Sequence, residues 1–309
     1  MKLDDMRETD NVDDRRGQGG GGFGGIGGGR IGGRGMAVGG GGLGLVAVVV
    51  IVLLLGGDPT SLLTGMDGSS SGQGGYSSEQ SEGGAPTGPR GDDEAFSFSR
   101  KIIASTEDVW TEIFRENGMT YEPATFTPYD GQTQTAGCGG GQAAMGPFYC
   151  PADRRVYIDL SFFRELDQRF GAPGDFAQAY VLAHEIGHNI QMLLGLSDMV
   201  ERASRRSERE GNRMSVKLEL QADCFAGVWA NRANRERHIL EPGDVEEGLA
   251  AANAVGDDTL QRQAGGAVVP DSFTHGSSEE RMRWFKRGFD SGDPEACDTF
   301  GTGVFNRRR

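Results

Sequence analysis

The sequence predicts an α+β chain, predominantly helical with a small sheet, in which one transmembrane helix precedes a single globular domain. Three observations carry this. Beyond about residue 92, several runs place apolar residues at helical spacing. One short stretch, Val156-Tyr157-Ile158-Asp159-Leu160, alternates as a half-buried strand does. Residues 38–57 carry no charge and are densely apolar at their centre.

Residues 1–37 are polar and then glycine-rich, with no periodic apolar pattern, which predicts a disordered segment. In residues 38–57 the dense part, Leu43 to Leu55, is short for a span, but flanking glycines bring it near the roughly 20 residues a bilayer requires. A cleaved signal peptide is the rival reading. The preceding segment is long for a basic leader and no Ala-x-Ala-like site follows, so an uncleaved single-pass anchor in a lipid bilayer is expected. Arg30 and Arg34 precede the span, and no lysine or arginine follows it until Arg90. The positive-inside rule then leaves the N-terminus in the cytoplasm and the rest outside. Residues 58–92, rich in Gly, Ser and Gln, read as a flexible linker. The 52 glycines are concentrated before residue 93, so the folded domain is assigned to 93–309. A net charge of −14 gives no support to a nucleic-acid partner.

Within that domain, Ser105 to Gly118 reads as a helix that buries Val109, Trp110, Ile113 and Phe114. Tyr121 to Phe126 reads as a strand weakened by Pro123, and Val156–Leu160 as the clearest strand. A short helix from Ser161 to Phe170 follows. The next helix keeps Tyr180, Val181, Ile186, Ile190, Leu193 and Leu194 on one side, with Asp175 and Gln178 as its cap and Gly195 at its end. Glu208 to Asn234 has few breakers and reads as a second long helix. Asp244 with Glu247 caps a small-residue helix running to about Val255, and Ser277 with Glu280 caps one through Met282, Trp284 and Phe285.

The chemistry-bearing stretch is His184-Glu185-Ile186-Gly187-His188. Positions four apart on a helix share a face, so both imidazoles can bind one zinc ion while Glu185 leans toward it as a general base. By itself the pattern also fits a helix with two unrelated histidines. A catalytic zinc needs a third protein ligand. The short metzincin extension does not provide one, because Gln191 stands where it needs glycine and Leu194 where it needs histidine. Glu219, on the second long helix, is the better candidate. Asp223, one turn on, can accept a hydrogen bond from the far nitrogen of a zinc-binding histidine. Without the histidine motif, this pair would be an ordinary exposed acidic pair.

Four cysteines outside the cytoplasm suggest disulfides, and three pairings are open. Cys138–Cys150 with Cys224–Cys297 is favoured, the shorter loop contributing roughly 3 kcal/mol. Cys224 points about 100° round the helix from Asp223, off the zinc face, so it is not expected to be a ligand.

These residues resemble the bacterial neutral zinc metallopeptidases, a membrane-anchored group in the gluzincin clan. The resemblance rests on Lys2-Leu3-Asp4-Asp5-Met6-Arg7-Glu8, the glycine tract and span, and Gly146-Pro147-Phe148-Tyr149-Cys150-Pro151. It continues through Val181–Gln191, Glu219–Trp229 and Val269–Phe289. It implies a gluzincin-like domain in which the strand before the zinc helix, Val156–Leu160, pairs with extended substrate. Thr274-His275-Gly276-Ser277-Ser278-Glu279-Glu280-Arg281 is similar to the His-Pro-x-x-x-x-Arg segment of CAAX prenyl proteases and their heat-shock relatives, with Gly276 in place of proline. That likeness implies His275 as an oxyanion or substrate donor and Arg281 as a second cation facing the site. As bland alternatives, His275 is a loop residue before a cap and Arg281 a salt-bridge partner; His238 reads as solvated surface. The expectation is a zinc metalloendopeptidase of the bacterial cell membrane acting on a peptide or protein. His184, His188 and Glu219 would hold Zn2+, and Glu185 would take a proton from the attacking water. An inactive zinc-binding scaffold and a binding module with a structural metal are the alternatives.

Overall fold

Helix α1 runs from Asp93 to Glu116 and lays Ile102, Ile103, Val109, Trp110, Ile113 and Phe114 along one buried stripe. It begins well before the expected Ser105. The serines in its first turns do not break it, because Ser99 Oγ donates to the carbonyl of Ala95 one turn back (2.7 Å) and satisfies itself within the helix. The structure, a computed structural model, describes residues 1–18 and 90–305.

Strand β1 (Thr125–Tyr129) starts later than expected, after Pro123. Strands β2 (Gln132–Gln134) and β3 (Gly140–Gln142) form a separate antiparallel pair. Strands β4 (Phe148–Cys150) and β5 (Arg155–Asp159) complete a three-stranded sheet in the order β1-β5-β4. β5 pairs parallel with β1 and antiparallel with β4. The expectation that this strand receives substrate is therefore corrected: both its edges are already hydrogen-bonded, and a central strand has no free ladder to offer.

Six helices follow: α2 (Phe162–Gln168), α3 (Asp175–Leu193), α4 (Ser197–Ser204), α5 (Glu208–Arg237), α6 (Asp244–Ala254) and α7 (Asp257–Gln263). The last, α8 (Ser278–Ser291), starts at the capping box read from Ser277 and Glu280. The second expected box does not form. Asp244 is the first residue of α6, and Glu247 instead accepts the backbone N–H of Phe176 (3.1 Å), capping α3 from outside. Asp175 likewise opens α3 without capping it, Gly174 standing at the cap position, and its carboxylate lies 2.6 Å from the Met1 amine. Gly195, with φ 71°, ends that helix in the left-handed region as expected.

The core lies between α3, α5, α8, α1 and the sheet. Trp110, Phe176, Tyr180, Phe225, Trp229 and Phe285 are all fully buried there, and Trp229 donates its indole N–H to Ser105 (3.0 Å). Two glycines allow the closest approaches. A Cβ on Gly288 of α8 would sit 1.9 Å from the carbonyl oxygen of Cys224, and one on Gly187 of α3 would sit 3.0 Å from the Cα of Ala222. The second contact brings the histidine helix against α5 at the level of the site. The disulfides are Cys138–Cys150, joining the β2–β3 turn to β4, and Cys224–Cys297, tying α5 to the C-terminal segment.

The N-terminal expectation changes. Residues 1–18, read as part of a disordered stretch, pack on the domain: Leu3 joins the core, Thr9 is buried, and Val12 and Arg15 form parallel bridges to Phe126 and Tyr129 of β1. Their low apolar content hid this, because polar and charged groups carry most of the docking. Residues 19–37, the expected span at 38–57 and linker residues 58–89 lie outside the described residues. Among the described residues no helix is long and apolar enough to cross a membrane.

Candidate metal centre

His184 and His188 project from the same face of α3, and Glu219 meets them from α5. One nitrogen of each ring and one oxygen of Glu219 lie within 4.8 Å of one another. His184 Nε2 is 3.1 Å from Glu219 Oε2, and His188 Nε2 is 3.6 Å from Glu219 Oε1.

The opposite ring nitrogens are both held. His184 Nδ1 is 2.8 Å from Asp223 Oδ1, a pure acceptor, so that nitrogen carries a hydrogen and Nε2 is the one that faces Glu219, a donor to its carboxylate when protonated and a ligand atom when not. His188 Nδ1 is 2.9 Å from Gln191 Oε1. The Gln191 amide donates to the carbonyl of Leu218 (2.6 Å), which assigns the oxygen to His188 and fixes the same tautomer. Gln191 thus has a role that its misfit to the metzincin pattern concealed. Its place three residues after His188, on one helix face, is the signal that could have found it.

Asp223 is the hub behind the histidines. It accepts from Arg281 Nε and Nη2, both at 2.8 Å, and from the hydroxyl of Tyr180 (2.5 Å). Burial alone would raise its carboxyl, but Arg281 and His184 outweigh that and bring it down to about 2. Arg281, expected to face the site, is spent on Asp223, Tyr180 and the carbonyl of Val255 (3.2 Å). That is the salt-bridge alternative, turned inward. Tyr180 was read only as a core residue.

His275, in the loop before α8, is 24 % exposed at its side chain and close enough to the cluster for its charge to act on Glu219. Its Nδ1 is 3.1 Å from Asp257 Oδ1. The other oxygen of Asp257 accepts the backbone N–H groups of Thr274, His275 and Gly276 at 2.8, 2.6 and 2.9 Å. Asp257, missed in the sequence because α7 was missed, thus holds the whole loop. Gly276 has φ 93° and donates its N–H there, two things proline cannot do. The proline of the similar segment is excluded at this position by the loop itself.

Glu185 is buried, 8 % exposed, and none of the described side chains hydrogen-bonds its carboxylate. Burial opposes the charge on Glu219, yet His188, His184 and His275 outweigh it and hold its carboxyl far below the usual range. Burial likewise disfavours charge on His184, but Asp223 and Glu219 lift its ring to about 10. A ring set between two carboxylates draws a cation to Nε2, and a metal ion there competes with the proton. Two neutral imidazole nitrogens with one carboxylate is a borderline-soft set suited to zinc.

The model of a family described as "Putative neutral zinc metallopeptidase" matches residues 1–300. The chain belongs to that family. Its similarity to the Escherichia coli K12 protein YpfJ is 48 % identity over 307 residues, covering 98 % of this chain and all of that one. It is also 44 % identical over 182 residues to Mb2605 of Mycobacterium bovis and to Rv2575 of Mycobacterium tuberculosis, over 56 % of this chain and 60 % of each relative. No solved structure matches. The family match begins at residue 1, so it includes the docked N-terminal segment as well as the metal cluster.

Proposed function

We propose that this member of the family is a zinc-dependent peptidase in which His184, His188 and Glu219 hold the metal and Glu185 is the general base. The observation that carries the proposal is the convergence of His184 Nε2, His188 Nε2 and the Glu219 carboxylate while each Nδ1 is held from behind. Bound zinc would supply Lewis acidity toward water and the peptide carbonyl. The chain's own residues supply the rest. Asp223 and Gln191 keep both rings in the ligating tautomer. The carboxylate of Glu185, without a side-chain partner among the described residues, is available to accept a water proton and return it to the leaving amine. His275, oriented by Asp257, offers Nε2 as a donor toward charge developing on the carbonyl oxygen.

Extended substrate fits the outer edge of β4 better than β5. Among the described residues that edge is unpaired, and β4 leans on the histidine helix through the hydroxyl of Tyr149, 3.0 Å from Asn189 Oδ1. An added peptide strand would hydrogen-bond there without displacing anything. The two disulfides support an oxidising compartment outside the cytoplasm as the place of action.

The test is metal analysis of the purified full chain with a peptide-library digest, with and without chelator. One zinc per chain and chelator-sensitive cleavage are expected, with Glu185→Gln retaining metal and losing cleavage. Bound metal without cleavage under any condition would mark a scaffold. Glu185→Gln cleaving at the wild-type rate would remove Glu185 from the chemistry.

A further inference from the structure

We infer that residues 1–18 are a docked part of the peptidase domain and occupy the same aqueous compartment as it does.

The inference rests on how thoroughly the N-terminal segment is built into the domain. At one end, Lys2 N–H donates to the carbonyl of Ile239, just past α5 (2.8 Å), while Leu3 sits in the main core. In the middle, Thr9 is paired with α1 on both sides: its N–H donates to the carbonyl of Arg100 (3.1 Å), and its hydroxyl donates to Glu107 (2.7 Å). At the other end the chain runs parallel to β1 through two isolated bridges, Val12 to Phe126 and Arg15 to Tyr129. Phe126 N–H donates to Asn11 (3.0 Å), and the Asp13 and Arg15 N–H groups donate to Phe126 and Pro128 (both 2.9 Å).

The domain is shaped for this segment. Glu107 is buried, and the partners its carboxylate finds are Thr9 and Arg7. Arg155 on the central strand reaches out to Asp13 at 2.6 Å. Arg16 places its guanidinium 3.7 Å from the ring centre of Phe96, between Asp14, Asp92 and Asp93. Without residues 1–18, Glu107 would keep a buried charge without those partners, and β1 would show an unpaired edge. A bilayer lying between the two parts would forbid every one of these contacts. Docking onto a neighbouring copy would require the same shared side.

The test uses the full-length chain in bacterial cells. Because none of the four natural cysteines is free, Asp10→Cys and Lys286→Cys each add a unique thiol at an exposed position, in the segment and in α8. Labelling by a membrane-impermeant maleimide is read by mass spectrometry at the engineered site, before and after lysis. The expected result is the same pattern at both: both labelled in intact cells with a permeable outer layer, or both only after lysis. Labelling of one in intact cells and of the other only after lysis would overturn the inference. A second measurement checks the docking itself. Asp13→Pro removes the N–H bonded to Phe126 and the carboxylate facing Arg155, and should lower Tm of the full chain by roughly 2–4 °C or more. An unchanged Tm would also overturn it. Neither readout depends on bound zinc or on hydrolysis, so this inference can fail while the peptidase proposal stands.

Discussion

Asp223 accepts the Nδ1 hydrogen of His184 at 2.8 Å while Arg281 grips both of its oxygens, so one buried carboxylate decides which nitrogen of the ring faces Glu219. Asp223→Asn should therefore weaken zinc binding by about 10- to 100-fold, read by competition with a chromogenic chelator. It should also cost about 3 kcal/mol or more in denaturant unfolding, because Arg281 would keep its charge with no carboxylate opposite. Arg281→Met in the same background should recover part of that stability without recovering the metal affinity.

Glu219→Ala removes the single carboxylate of the cluster and is expected to abolish stoichiometric zinc in metal analysis. Glu185→Gln, which leaves all three ligands in place, should keep the metal and lower peptide cleavage by about 100-fold or more. The pair separates ligand from base.

Gly187 lets α3 and α5 approach until the Cα of Ala222 is 3.0 Å from where a Cβ would be. Gly187→Val adds three carbons at that contact, which can be accommodated only by moving the helices apart. Zinc affinity should fall together with Tm, the stability loss being about 1–3 kcal/mol. A valine variant that binds zinc as the parent does would show that the approach is not required.

Asp257 is 3 % exposed. Burial acts to raise its carboxyl, but His275 and the backbone N–H groups of the loop hold it below its ordinary 3.8. A group depressed on folding stabilises the native state fully above its unfolded value and loses that contribution as pH falls through its folded value. Thermal unfolding should thus find Asp257→Asn less stable than the parent at neutral pH by about 2 kcal/mol. The gap should narrow as pH drops below about 4. Peptide cleavage by the same variant should fall through the loosened His275 while zinc content stays at the parental level.

The Cys224–Cys297 bond closes a loop of 73 residues, against 12 for Cys138–Cys150. Replacing the first pair by alanines should cost about 4 kcal/mol and the second about 3 kcal/mol by chain entropy. The first loss should also loosen α5, because Gln221 donates to the carbonyl of Cys297 (2.9 Å). Chemical unfolding of the two double variants would order them.

The sequence by itself determined what local spacing controls. Two histidines four apart on an apolar-faced helix must share a side, Glu219 and Asp223 must do the same, and the Ser277–Glu280 cap closes within one turn. No partner from elsewhere in the chain is needed for any of these, so each was legible. What required tertiary structure was every relation between elements. β5 looked like a free strand until β1 and β4 covered both its edges. Glu247 looked like a cap for its own helix and instead caps α3. Arg281 was drawn inward by Asp223, while Asp257 became visible only once α7 packed beside the loop of His275. Residues 1–18 read as disordered because they have few apolar side chains. Their order comes from ion pairs and hydrogen bonds with groups about a hundred residues away, which no local pattern encodes.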